Sequence, residues 1–223
     1  MKSLTSYIQE KLIIKKSINY KYFPETKEEL KEIIKRRIED EGNEADLNDI
    51  VVSKRTDMSE LFEDFSNFNC DISKWDVSNV TSMEGMFYFC KSFNKDISNW
   101  DVSKVNNMSN MFGNCESFNQ DISTWDVSNV KDMSSMFSYC KKFNKNISKW
   151  NVSNVTDMNS IFASCESFNQ DISKWNVSNV KDMRYMFWDC KSFNQDISKW
   201  NVSNVTDNDN IFYNCPIEEN YEP

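Results

Sequence analysis

Six cysteines fall at Cys90, Cys115, Cys140, Cys165, Cys190 and Cys215, each 25 residues after the last. A thiol acts as a nucleophile or metal ligand once a base, a cation or a metal draws off its proton. The chain has no histidine, which removes Ser-His-Asp and Cys-His catalysis together with the commonest metal ligand. Zinc and redox sites need paired short spacings such as C-x-x-C, and none occurs. One slot repeated on an apolar stripe reads as a small buried hydrophobe in each unit. The six thiols are expected to be buried, reduced and metal-free, with Cys70 outside their series.

Carboxylates are the second candidate chemistry. Asp71, Asp96, Asp121, Asp171 and Asp196, with Asn146 in the same slot, recur at the same step. Like charges that close repel. They must cap backbone amides, meet lysines such as Lys74 and Lys149, or hold a cation, and capping is the expectation. The clustered acids and glycine of a calcium loop are missing. A catalytic site needs unlike groups converging on one point, whereas these polar residues come in ladders of like groups. The chain is read as non-enzymatic, without cofactor or metal.

The same period dictates the elements that position these residues. Trp75, Trp100, Trp125, Trp150, Trp175 and Trp200 keep the 25-residue step, and "FNQDISKWNVSNV" occurs at 168–180 and again at 193–205. A fainter unit, "DLNDIVVSKRTDMSELF" at 46–62, precedes them. Seven units at fixed period predict a solenoid in which each copy completes the core of the next. Within one unit Val80, Met83, Met86, Phe87 and Cys90 make the stripe of a short helix, and Phe93 and Ile97 flank a short extended segment. Strand, turn and helix in 25 residues predict an α/β solenoid. It would be a leucine-rich-repeat-like right-handed superhelix with one parallel β-sheet, short helices opposite and an N-terminal helical cap. Asn69, Asn94, Asn119, Asn144, Asn169 and Asn194 should form an amide ladder along it.

The predicted organisation is an N-terminal α/β cap over 1–45, repeats over 46–220 and an acidic tail at 221–223. In the cap, Thr26 and Glu29 form a capping box, and Leu30, Ile33, Ile34 and Ile38 give a helix its apolar face. Gly42 suits its stop. Leu4, Ile8 and Leu12 suggest a shorter helix, and Ile18, Tyr20 and Tyr22 alternate like a strand. These faces should cover the first unit, with docking of another protein as the alternative for the main helix. At the far end Asn208 replaces the helix methionine, which fits an exposed layer and leaves room for a partner or a weak dimer.

The units resemble the BspA-like leucine-rich repeat family, in the form typical of mycoplasma surface lipoproteins. The resemblance rests on "FNQDISTWDVSNVKDMSSMFSYC" at 118–140 and its copies across about 46–215. The first unit resembles that of small members without secretion signals, some apparently encoded by phages. The resemblance implies the repeat fold and a binding or adhesion role, and it brings no catalytic residues. The chain is expected to differ from the surface members in having no signal peptide, lipobox or wall anchor.

Net charge is -9, and no basic stripe for phosphates appears, so nucleic acid is not an expected partner. No stretch is apolar for long enough to enter and span a membrane. The expected address is cytoplasmic, with a surface or virion location by an unconventional route as the alternative. A binding module should vary some slots while its core letters stay fixed. The slots after each Met-Phe or Ile-Phe pair do so, from Tyr88-Phe89 through Gly113-Asn114 and Ser138-Tyr139 to Trp188-Asp189 and Tyr213-Asn214. Arg184-Tyr185 occupies another variable pair. Tyr, Trp and Arg dominate protein interfaces. Tyr88, Phe89, Tyr139, Arg184, Tyr185, Trp188 and Tyr213 are therefore the candidate partner-binding residues of a protein-interaction scaffold. Two alternatives stand: an adhesin binding a glycan or host matrix protein through the constant strand face, and a purely structural spacer.

Overall fold

The computed structural model describes residues 19–223. The predicted helix at Leu4, Ile8 and Leu12, and Ile18 of the predicted strand, lie outside the described residues. Among those described, one α-helix is present, α1 (Lys27–Glu41), with a single 3-10 turn at Glu219–Tyr221. The expected superhelix with a parallel sheet and short helices opposite is not formed. Parallel pairing is confined to isolated bridges such as Asp132↔Asp157 and Asp157↔Asp182.

The segment read as a helix is a row of tight turns instead. Met86 N–H bonds Met83 O and Cys90 N–H bonds Phe87 O at 3.2 and 2.9 Å. The third residues of these turns, Gly85 and Phe89, have φ of 56° and 61°. Positive φ at that position defines the turn and breaks a helix. The two slots recur in every unit and are filled at Glu60, Ser135, Tyr139 and Tyr185 by side chains that this conformation disfavours. Alternate N–H groups point to the next unit: Phe87 to Met111 O and Phe89 to Gly113 O, both at 2.9 Å.

Spacing explains why the turns prevail. Phe62, Phe87, Phe112, Phe137, Phe162, Phe187 and Phe212 stack with centroids 5.3–5.8 Å apart. Packed helices need about 8–10 Å between axes. Turns that donate straight to the next unit fit the closer pitch and keep the same stripe inside: Val80, Met83, Met86, Phe87 and Cys90 are all buried.

The predicted strand fails for a local reason. Asn94 N–H donates to Asn69 Oδ1 and Asn119 N–H to Asn94 Oδ1, each at 2.9 Å. A side-chain oxygen takes the place that a neighbouring strand's carbonyl would hold. The amide ladder therefore exists, but it replaces the sheet. The aspartate column behaves as expected: Ser73 and Ser98 N–H donate to Asp71 and Asp96 Oδ1 at 2.9 Å.

Two side chains latch each unit to the one before. Trp150 Nε1–H donates to Ile122 O at 3.1 Å, and Trp125 Nε1–H to Ile97 O at 3.2 Å. Cys140 Sγ donates to Phe112 O at 2.9 Å and Cys115 Sγ to Phe87 O at 3.0 Å. Burial pushes the Cys115 and Cys140 thiols well up, which keeps the donating proton in place. Five of the six periodic cysteines are buried as expected, whereas Cys215, in the last described unit, is half-buried. Cys70 is buried too and donates to Asn43 O at 3.3 Å.

Helix α1 starts and stops where its letters predict, though the Glu29 carboxylate accepts from Glu25 N–H at 2.7 Å instead of the Thr26 N–H of a capping box. Glu29 N–H donates to Thr26 Oγ1 at 3.0 Å, and Gly42, at φ 85°, closes the helix by donating to Ile38 O at 2.9 Å. Leu30 and Ile34 join the core, while Ile33 and Ile38 are half-buried against it. Arg37 is buried, which its apolar neighbours did not foretell. Its guanidinium reaches Asp49 Oδ1 and Asp46 O at 2.8 Å each and Glu41 Oε2 at 3.0 Å. It also lies 5.3 Å from the Tyr22 ring centroid. Glu41 first, then Asp49, hold its pKa up against burial. A fully paired Arg fixes the helix at one place on the first unit. Tyr22, expected in a strand, makes one parallel bridge to Ile50.

Candidate partner-binding surface

The turn ladder lines up its variable slots in columns, one residue per unit; Gly113, Ser138, Ala163 and Ser164 are buried there, and the larger side chains reach outward to differing extents. Identical positions in successive units sit side by side because each N–H reaches the residue 24 places on. All seven candidate residues lie on these turns, in two groups with one residue between.

In the first group, Tyr88 and Phe89 are half-buried, their rings edge to face at 4.6 Å. The Tyr88 ring lies over the next unit: a Cβ at Gly113 would come 2.9 Å from its Cδ2. The change from Tyr to Gly down this column is therefore a packing complement. Tyr139, two units on, is 41% exposed at φ 59°.

The second group spans the last two units. Tyr185 is 40% exposed at φ 57°, and Trp188 closes the same turn by donating its N–H to Tyr185 O at 3.1 Å. The Trp188 ring stacks on Tyr213, centroids 6.2 Å apart and planes 11° from parallel. Trp188 is half-buried and Tyr213 is 59% exposed. Arg184 is exposed and grips Asp182 with Nε and Nη2, at 3.1 and 2.5 Å from Oδ2. Burial opposes ionisation of Asp182, but Arg184 and its backbone N–H hold the carboxyl below its ordinary range. Burial pushes Asp157, one unit earlier, up instead, and the Asp132 and Asp182 charges reinforce it.

The arrangement offers flat aromatic faces, one oriented guanidinium and an acidic column behind it, which suits docking. Phe23, 64% exposed before α1, is an apolar surface residue that the repeat pattern did not single out. No helix among the described residues is long and apolar enough to cross a membrane.

Stacked, mutually latched 25-residue units define a repeat protein. The family model for "Mycoplasma protein of unknown function, DUF285" matches residues 29–139 and again 118–221, and the chain belongs to that family. No curated protein and no solved structure matches it.

Proposed function

We propose that this chain is a non-catalytic binding module that engages another protein through Arg184, Tyr185, Trp188 and Tyr213. The observation that carries the reading is Tyr185: a large aromatic, 40% exposed, held at φ 57° beside the Trp188–Tyr213 stack. Every unit holds this slot at positive φ, so the turn dictates the conformation, and Tyr185 alone fills it with an aromatic ring. Aromatics with an arginine are the usual anchors of protein interfaces. The resemblance to BspA-like repeats of surface proteins supports a binding role as well.

The constant face supports a glycan reading less than its letters promised. Asp71 and Asp96 already accept the N–H two residues on, so their constancy has a structural cause. The test pairs Tyr185→Ala/Trp188→Ala with Ser123→Ala/Lys149→Ala in capture of partners from cell lysate, followed by a purified binding assay. The first pair should weaken binding at least tenfold, with a melting-temperature loss of a few degrees from the broken stack. Binding lost only with the second pair would move the site to the constant face.

A further inference from the structure

The two ends of the stack differ. Helix α1 covers the first unit. In the last described unit, the backbone N–H groups of Asn208, Asn210, Phe212 and Asn214 have no acceptor among the described residues. Their counterparts one unit earlier donate to Asp207, Asp209, Ile211 and Tyr213 O at 2.8–2.9 Å. The tail covers only part of this end: Glu218 N–H bonds Asn194 Oδ1, and Tyr221 O accepts from Ile197 N–H, both at 3.0 Å. Beside it lies a cavity of about 320 Å³ lined by Met183, Met186, Trp200, Val205, Ile211 and Phe212, with Glu222 also at its wall. Asp207, Asp209, Glu218, Glu219 and Glu222 around this end are all exposed.

We propose that this end binds residues 1–18 of a second copy of the chain. An occupant must bring carbonyl oxygens for the N–H row, an apolar side chain for the cavity and positive charge for the rim. Residues 1–18 carry Lys2, Lys11, Lys15 and Lys16 against Glu10 alone, interleaved with Leu4, Ile8, Leu12, Ile13 and Ile14. Another copy's repeats cannot continue the ladder, because α1 covers their front. Two copies of the acidic end repel each other. The chain's own copy of the segment cannot bring Lys15 and Lys16 to this end. Lys21 N–H is bonded to Asp49 O beside the first unit, six unit steps from Asn208. At about 4.8 Å per step that is roughly 30 Å, whereas the four residues from Lys15 to Asn19 reach at most about 14 Å. Docking of the whole segment, Lys15 and Lys16 included, therefore joins copies head to tail.

The experiment is sedimentation velocity of the full chain across a concentration series at low and moderate salt. Mass-average size should rise with concentration, and added salt should weaken the association. Lys11→Glu/Lys15→Glu/Lys16→Glu should weaken it at least tenfold with an unchanged melting curve. Adding Asp207→Lys/Asp209→Lys to that variant should restore it, which a merely unfolded variant cannot do. A synthetic peptide of residues 1–18 should slow hydrogen exchange at Asn208, Asn210, Phe212 and Asn214. A chain that stays monomeric throughout, association indifferent to the charge swap, or a peptide that leaves those four amides unprotected would each overturn the proposal.

Discussion

Phe137→Ala and Phe212→Ala delete the same ring from the same column, and the stack makes their costs unequal. Phe137 is fully buried and meets Phe112 at 5.7 Å, Phe162 at 5.8 Å, Phe143 at 4.2 Å and Trp150 at 6.2 Å. Phe212 is half-buried, with Phe187 at 5.7 Å as its one ring partner among the described residues. Burial and cavity terms put Phe137→Ala at about 3–5 kcal/mol. Phe212, partly in water and with one ring contact, should cost about 1–2 kcal/mol. Urea unfolding followed by tryptophan fluorescence reads both. Phe137→Ala also interrupts the array between neighbours on both sides, so its transition should broaden or split, as nearest-neighbour coupling requires. Phe212→Ala should shift the midpoint and leave the slope alone. Equal costs, or a sharp single transition in both variants, would refute stacking as the source of stability.

Four other outcomes are expected. Gly85→Asn should be nearly neutral, because Asn110 fills the same slot at φ 55°, while Gly85→Val should lose about 1–2 kcal/mol by chemical denaturation. Gly113→Ala should displace the Tyr88 ring 2.9 Å away, and Tyr88→Ala should suppress its cost in a double-mutant cycle. Burial first, then Asp132 and Asp182, raise the Asp157 carboxyl, so the folded state holds its proton more tightly than the unfolded state. The resulting penalty is absent below the ordinary value near 3.8 and appears as pH rises through the raised value. Asp157→Asn should thus raise the melting temperature at pH 7 and lose that advantage in acid, with Asn107 the precedent for keeping the N–H bond at 2.9 Å. Arg37→Ala leaves Asp49 without the 2.8 Å partner that ties α1 to the first unit, and thermal melts should show about 3–5 kcal/mol lost.

How much the letters disclose depends on how local the deciding interactions are. Helix α1 is legible to its ends because Thr26, Glu29 and Gly42 act within one turn. The stack and its core columns follow from the period. The element types within a unit do not, since the stripe from Val80 to Cys90 fits a helix and a row of turns equally well. The choice falls to the pitch between units, which no window of sequence contains. The segment between Phe93 and Ile97 forms no strand, because Asn69 Oδ1 accepts the Asn94 N–H that a neighbouring carbonyl would take. The variable slots were found, but not their packing. Trp188 leans on Tyr213 and Tyr88 on Gly113 across 25 residues, so part of the variation serves the fold. The burial of Arg37 left no trace, because its partners Asp46 and Asp49 come from the first unit.

The turn ladder without helix or sheet fixes every position on the proposed surface, and its hydrogen bonds are directly measurable. Scalar coupling through the hydrogen bond should connect Phe137 N to the Ile161 carbonyl carbon and Tyr139 N to that of Ala163, across bonds of 3.0 and 2.7 Å. Coupling of Phe137 N to the Met133 carbonyl instead would make the segment a helix and contradict the account.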